Sequence, residues 1–126
     1  MNILCNIADR PDICNFILPS IVQRGDLVIS ISTSGKSPAL AKKLRRIIDA
    51  QFGEEYTDFL QLMGAIRTKL LRQTHEPEAH KGIFERLINS NLIDLIREGD
   101  KTQIDALLKD TLGEGFKYES LMGGLN

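Results

Sequence analysis

Hydrophobic positions along the chain change their period near Ser37. Ahead of it, apolar and β-branched residues come in short runs. Asn2 to Ala8 (NILCNIA) reads as a buried strand, with Asp9 at its carboxyl end and Arg10-Pro11-Asp12 as punctuation. Ile13 to Val22 carries no single period, because Phe16-Ile17-Leu18 runs into Pro19, which neither a central strand nor a mid-helix accepts. Leu27 to Thr33 (LVISIST) alternates apolar and hydroxyl side chains, as a half-buried strand does, and Arg24-Gly25-Asp26 ahead of it is a turn signal. Leu18 to Thr33 is therefore expected to form a hairpin.

After Ser37 the period is helical. Ser37 is a suitable N-cap, followed by proline at the first helical position. Leu40, Leu44, Ile47 and Ile48 then share a face, and Gly53 ends the helix. Thr57 caps a second predicted helix with the stripe Leu60, Met63, Ile66 and Leu70. Pro77 opens a third with Ile83, Phe84, Leu87 and Ile88. Ser90 to Glu98 is a short fourth. Asp100 and Gln103 form a capping box for a fifth, which carries Ile104, Leu107, Leu108 and Leu112. Gly113, Gly115, Gly123 and Gly124 mark a loose tail. The expected class is α+β: a few strands, then a mostly helical region. Such a hairpin is too small to stand alone, so a second copy of the chain or further strands must complete it.

Composition narrows the classes of function. The 126 residues hold 16 basic and 17 acidic side chains, a net charge of −1 that argues against a general nucleic-acid binder. No apolar run approaches the ~18 residues that span a bilayer. The first dozen residues reach an acid without a basic region and are not expected to act as a secretory signal. Cys5 and Cys14 are too few for a disulfide framework and suit a reducing compartment, so the expected location is cytoplasmic.

Three features offer chemistry. Asp9 sits where a strand ends, a position at which open α/β sheets gather functional groups; equally, its carboxylate can close an Asx turn. Ser32-Thr33-Ser34-Gly35-Lys36-Ser37-Pro38 brings hydroxyls, a glycine and a lysine to a helix N-terminus, which favours an anion; it lacks the spacing of a P-loop, and a plain strand-to-helix connection fits it as well. From Pro19 to Ile48, six basic residues (Arg24, Lys36, Lys42, Lys43, Arg45, Arg46) face one acid, Asp26. This net of +5 suits an anionic ligand or a solvated helix face, and no aromatic is interleaved to stack bases. His75 and His80 flank Pro77, share no helix face and read as surface residues rather than metal ligands.

The stretch Cys5 to Arg45 resembles the siroheme synthase family, bifunctional precorrin-2 dehydrogenases and sirohydrochlorin ferrochelatases. The resemblance is carried by three linked pieces: Cys5-Asn6-Asp9-Pro11, Phe16-Pro19-Ser20, and Ser32-Thr33-Gly35-Ser37-Pro38-Leu40-Ala41. It implies that Asp9 is the acid/base group of dehydrogenation and of chelation. It implies further that Asn6, Arg24, Ser32, Thr33, Ser34 and Lys36 face the tetrapyrrole, with Thr33 where some members have serine. NAD is the implied cofactor and Fe²⁺ a substrate, with no cage of protein ligands for the metal. Pro19 to Thr33 corresponds to dimerisation strands, so the expected partners are a second copy and the tetrapyrrole, without nucleic acid or membrane.

The family's dinucleotide loop G-x-G-x-x-[GA] does not occur in this chain. The resemblance thus implies the C-terminal half of such an enzyme. Residues 1–17 would be the last piece of a Rossmann domain, 18–53 the dimerisation hairpin and connecting helix, and 54–126 a C-terminal helical domain. Such a half is expected neither to bind NAD nor to turn over alone. Two other readings compete: a non-catalytic dimeric helical module that binds tetrapyrrole or a protein, and an RNA-binding basic helix resting on charge alone.

Overall fold

A computed structural model describes residues 19–73 and 77–123. The expected strand at Asn2 to Ala8, with Asn6 and Asp9, lies outside them, as do Cys5, Cys14 and His75. The architecture is α+β: an antiparallel hairpin followed by helices, divided into two compact units, Met1–Gly53 and Glu54–Asn126.

In the first unit, β1 (Ser20–Arg24) pairs with β2 (Leu27–Ile31) in the register Ser20↔Ile31, Val22↔Ile29 and Arg24↔Leu27. The two-residue loop is Gly25-Asp26. Gly25 takes φ +61° while Asp26 keeps a negative φ, the preference of a type II′ turn, whose twist matches that of the strands. Alternation puts Val22, Leu27, Ile29 and Ile31 on one face, where Val22 is buried and the others are half-buried. Helix α1 (Pro38–Gln51) packs against this hairpin. Ser37 caps it as expected, with the Leu40 N–H donating to Ser37 Oγ (3.2 Å).

The face of α1 differs from the expected stripe. Ala41 is its buried residue, Leu44 and Ile48 are half-buried, and Leu40 and Ile47 are 46% and 44% exposed. The apolar arc is wider than the hairpin can cover, and the small alanine lets the helix approach β1 closely.

The second unit holds α2 (Glu55–Gln73), α3 (Pro77–Ile88), α4 (Leu92–Glu98), α5 (Lys101–Leu112) and α6 (Tyr118–Gly123). Its core gathers Phe59, Leu62, Ile66, Leu70, Leu87, Leu92, Ile104 and Leu108 from the first four of these helices. Helix α2 begins two residues before the expected cap. Thr57 lies inside its first turn, where its hydroxyl donates to Glu54 Oε2 (3.2 Å). Asp100 does cap α5, accepting from the Gln103 N–H (3.2 Å).

Two expectations are corrected here. The tail is docked rather than loose: Phe116 and Leu121 are buried in the core, and Asp105 Oδ1 accepts from the Tyr118 N–H (2.8 Å) at the start of α6. His80 is no surface residue. It is 5% exposed, and its Nε2 has no hydrogen-bond partner.

Candidate functional site

The segment from Ser32 to Ser37 joins the end of β2 to the start of α1, and its own polar atoms shape it. The Lys36 N–H donates to Thr33 O (3.0 Å), and the two residues between them take positive φ, +57° at Ser34 and +77° at Gly35. This is a type I′ turn. Gly35 adopts that conformation at little cost, whereas for serine it costs roughly 1–2 kcal/mol. The turn is held by its neighbours. Ser32 Oγ accepts from the Ser34 N–H (3.1 Å), Thr33 Oγ1 from the Ser37 N–H (3.1 Å), and Ser37 Oγ from the Leu40 N–H.

A hydroxyl whose oxygen accepts from the backbone still carries a proton to donate. Ser32, Thr33 and Ser37 are therefore three fixed oxygens with O–H donors to spare. Among the described residues, no acceptor stands opposite the N–H of Gly35 or of Ala39. Helix α1 has no acid in its first turn, whereas α2 carries Glu55 and Asp58 there, α3 Glu78, α4 Asp94 and α6 Glu119. The positive end of the α1 dipole is thus left without a carboxylate of its own helix.

The six cations of this region divide into two groups. Lys36, Lys42, Lys43 and Arg46 are exposed, with Lys36 inside the turn segment. Arg24 and Arg45 are engaged by the fold. Arg45 Nε donates to Ile21 O (3.0 Å). Arg24 reaches the far end of α1, donating to Phe52 O (2.7 Å), Asp49 O (3.0 Å), Asp49 Oδ1 (2.8 Å) and Gln23 O (2.9 Å). Its guanidinium holds the Asp49 carboxyl below the usual carboxylate range, chiefly through the hydrogen bond. Arg24 also sits at the hairpin turn, opposite Leu27, and five residue steps at ~3.3 Å separate that end from Ser32, about 16 Å. The structure thus brings Ser32, Thr33, Ser34 and Lys36 together and sets Arg24 apart from them.

Ser37, read from the sequence as a cap and as part of the hydroxyl run, is a third fixed oxygen beside Ser32 and Thr33. The Ser34-Gly35 dipeptide is itself a turn signal, from which the tight turn could have been read. Among the described residues, no three His, Cys, Asp or Glu side chains converge as a metal-binding group, and no helix is long and apolar enough to cross a membrane.

Residues 24–51, which hold the turn segment and all of α1, match the family described as Sirohaem biosynthesis protein central. Over nearly its whole length the chain is similar to curated siroheme synthases. It is 30% identical to that of Ruthia magnifica subsp. Calyptogena magnifica (98% of this chain, 27% of that protein). It is 29% identical to that of Nitrosococcus oceani (93% of this chain, 25% of that protein). It is 31% identical to that of Hydrogenovibrio crunogenus (85% of this chain, 23% of that protein). The chain spans about a quarter of the length of these relatives. The matched central residues and these relatives together make the chain similar to one portion of the siroheme synthases.

Proposed function

We propose that this chain serves siroheme biosynthesis as the tetrapyrrole-binding and dimer-forming portion of a precorrin-2 dehydrogenase and sirohydrochlorin ferrochelatase, acting in the cytoplasm. The observation that carries the reading is the Ser32–Ser37 segment. Its hydroxyl oxygens are fixed by backbone N–H groups, their protons remain free to donate, and the helix end behind them lacks an acid. A tetrapyrrole rimmed with carboxylates is the kind of ligand that such donors recognise. Lys36 adds a counter-charge within the segment, and Lys42, Lys43 and Arg46 add a positive field on α1.

In this reading Asn6, Ser32, Thr33, Ser34 and Lys36 hold the macrocycle, and Asp9 moves protons. Dehydrogenation sends a hydride to NAD and a proton to a base; chelation releases pyrrole protons as Fe²⁺ enters. One carboxylate able to take protons suits both steps. The described residues do not fit NAD. The β2-to-α1 connection has a single glycine and follows an antiparallel hairpin, not a strand of a parallel sheet. No step is therefore assigned to NAD within the described residues, and the chain alone is expected to be inactive as a dehydrogenase.

Titration with sirohydrochlorin tests the binding site. Affinity is expected to fall as salt rises, since exposed charges are screened within about 8–10 Å at physiological ionic strength. Lys36→Glu is expected to weaken binding more than Lys117→Glu, which lies before α6 in the second unit. Equal effects at the two positions reject the site. For Asp9, the measurement is NADH production from precorrin-2 by a protein that joins this chain to a dinucleotide-binding part. Asp9→Asn is expected to slow it by about 10²–10⁴-fold. Because asparagine replaces aspartate well as a turn former, near-normal turnover would sink the catalytic role.

A further inference from the structure

The helical unit has a cavity of about 430 Å³ between α2 and α6. Its charged lining is Lys69 and Arg72, with the amide of Gln73 and the hydroxyl of Ser120 beside them and the buried side chains of Ala65 and Leu121 as an apolar floor. Among the described residues, no carboxylate lines it. This is unexpected in a unit that carries 13 acids and nine bases. Other cavities of the unit carry their own acids. One sets Arg67 and Lys81 against Glu78 and Glu85, and another sets Arg86 against Glu85 and Asp110. Other cations of the unit also find acids: Arg97 pairs with Glu55 and Asp94, Lys101 with Glu119, and Lys109 with Glu114.

Lys69 is positioned without such a partner. Its ammonium donates to Gly115 O and lies 4.7 Å from the centre of the Phe116 ring, which fixes the charge at the cavity wall and leaves further N–H donors. Arg72 stands three residues on, on the same side of α2. Among the described residues no acid meets its guanidinium. The last turn of a helix favours a cation but supplies no counter-ion.

We propose that this cavity binds a small organic dianion, a short-chain dicarboxylate. Arg72 grips one carboxylate through its planar fork, Lys69 meets the other as a point charge, and the methylenes lie on Ala65 and Leu121. The volume lies within the range of small-molecule sites. The inference rests on residues 54–126 alone and is independent of the tetrapyrrole reading.

The test is an amide chemical-shift titration of the whole 126-residue chain with succinate, and separately with inorganic phosphate, at low salt. Succinate is expected to give saturable shifts at Lys69, Arg72 and Ser120. Arg72→Gln and Arg72→Glu are expected to weaken it at least about tenfold, the scale of one charged hydrogen bond, while Arg86→Glu changes little. Shifts that do not saturate by tens of millimolar overturn the proposal. So does binding indifferent to both Arg72 variants, and so does phosphate binding as tightly as succinate, since that needs no apolar floor.

Discussion

Arg24 shows how far the identity of a residue underdetermines its use. As a cation in a basic segment it is a natural partner for a ligand carboxylate, and the family resemblance implies that role. Its guanidinium instead accounts for its donors within the first unit, on three backbone oxygens and the Asp49 carboxylate. Its side chain is only 15% exposed. Arg24→Gln is expected to reduce amide-exchange protection in β1 and β2 by about tenfold, the scale of one or two net hydrogen bonds, and to change sirohydrochlorin affinity less than Lys36→Glu. Unchanged protection would contradict this. The pH dependence has a definite sign. The Asp49 carboxyl is lowered in the folded chain, so its contribution is complete above the ordinary carboxylate range and is lost as pH falls through the lowered value. Hairpin protection should therefore hold steady from neutrality down to about pH 5 and weaken only in stronger acid. His80 makes the complementary point. It is polar by type and stands near the start of α3, so its spacing suggests exposure, but packing buries it.

At the scale of elements, the register of the hairpin decides which edge is open. The turn bonds Leu27 N–H to Arg24 O, and antiparallel alternation makes Val22↔Ile29 the next bonded pair. Ile21, Gln23, Val28 and Ser30 then turn their N–H and C=O groups outward. On β1 the Ile21 carbonyl is met by Arg45. On β2 no described residue bonds to the outward groups of Val28 and Ser30, and the Val28 side chain is 47% exposed. If the proposed homodimer extends the sheet, β2 is the edge that takes the partner. Val28→Pro is accordingly expected to leave the hairpin folded and to raise the dimer dissociation constant. Ile29→Pro, which removes an N–H that the hairpin itself uses, should unfold it. Sedimentation of both variants, with circular dichroism for the fold, checks this. A Val28→Pro chain that dimerises as the parent does would exclude the β2 edge.

For the whole molecule, the tail matters more than its glycines suggest. Phe116 is 3% exposed in the core, and its ring also receives the Lys69 cation. Phe116→Ala is expected to destabilise the helical unit by about 3–5 kcal/mol, read from denaturant unfolding. A loss below about 1 kcal/mol would mean that the tail adds little to the core. The variant should also disturb the α2–α6 cavity, since Lys69 is held against that ring.

Local chemistry made much of this fold legible. The Gly25-Asp26 turn, the Ser37-Pro38 start of α1 and the Asp100 cap of α5 depend on neighbours within a few residues, so the sequence alone determined them. The same holds for the α+β class, the basic segment and the family resemblance, which live in periodicity, composition and motif. Other features depend on what a side chain meets across the fold. Tertiary structure alone decided that Ala41 rather than Leu40 or Ile47 is the buried residue of α1, because the hairpin covers only part of an apolar arc. It alone turned Arg24 toward the end of α1, docked a six-residue helix too short to announce itself by period, and left Lys69 and Arg72 lining a cavity to which no described residue adds an acid. Each of these outcomes joins residues distant in sequence, and periodicity or capping rules reach only a turn or two along the chain.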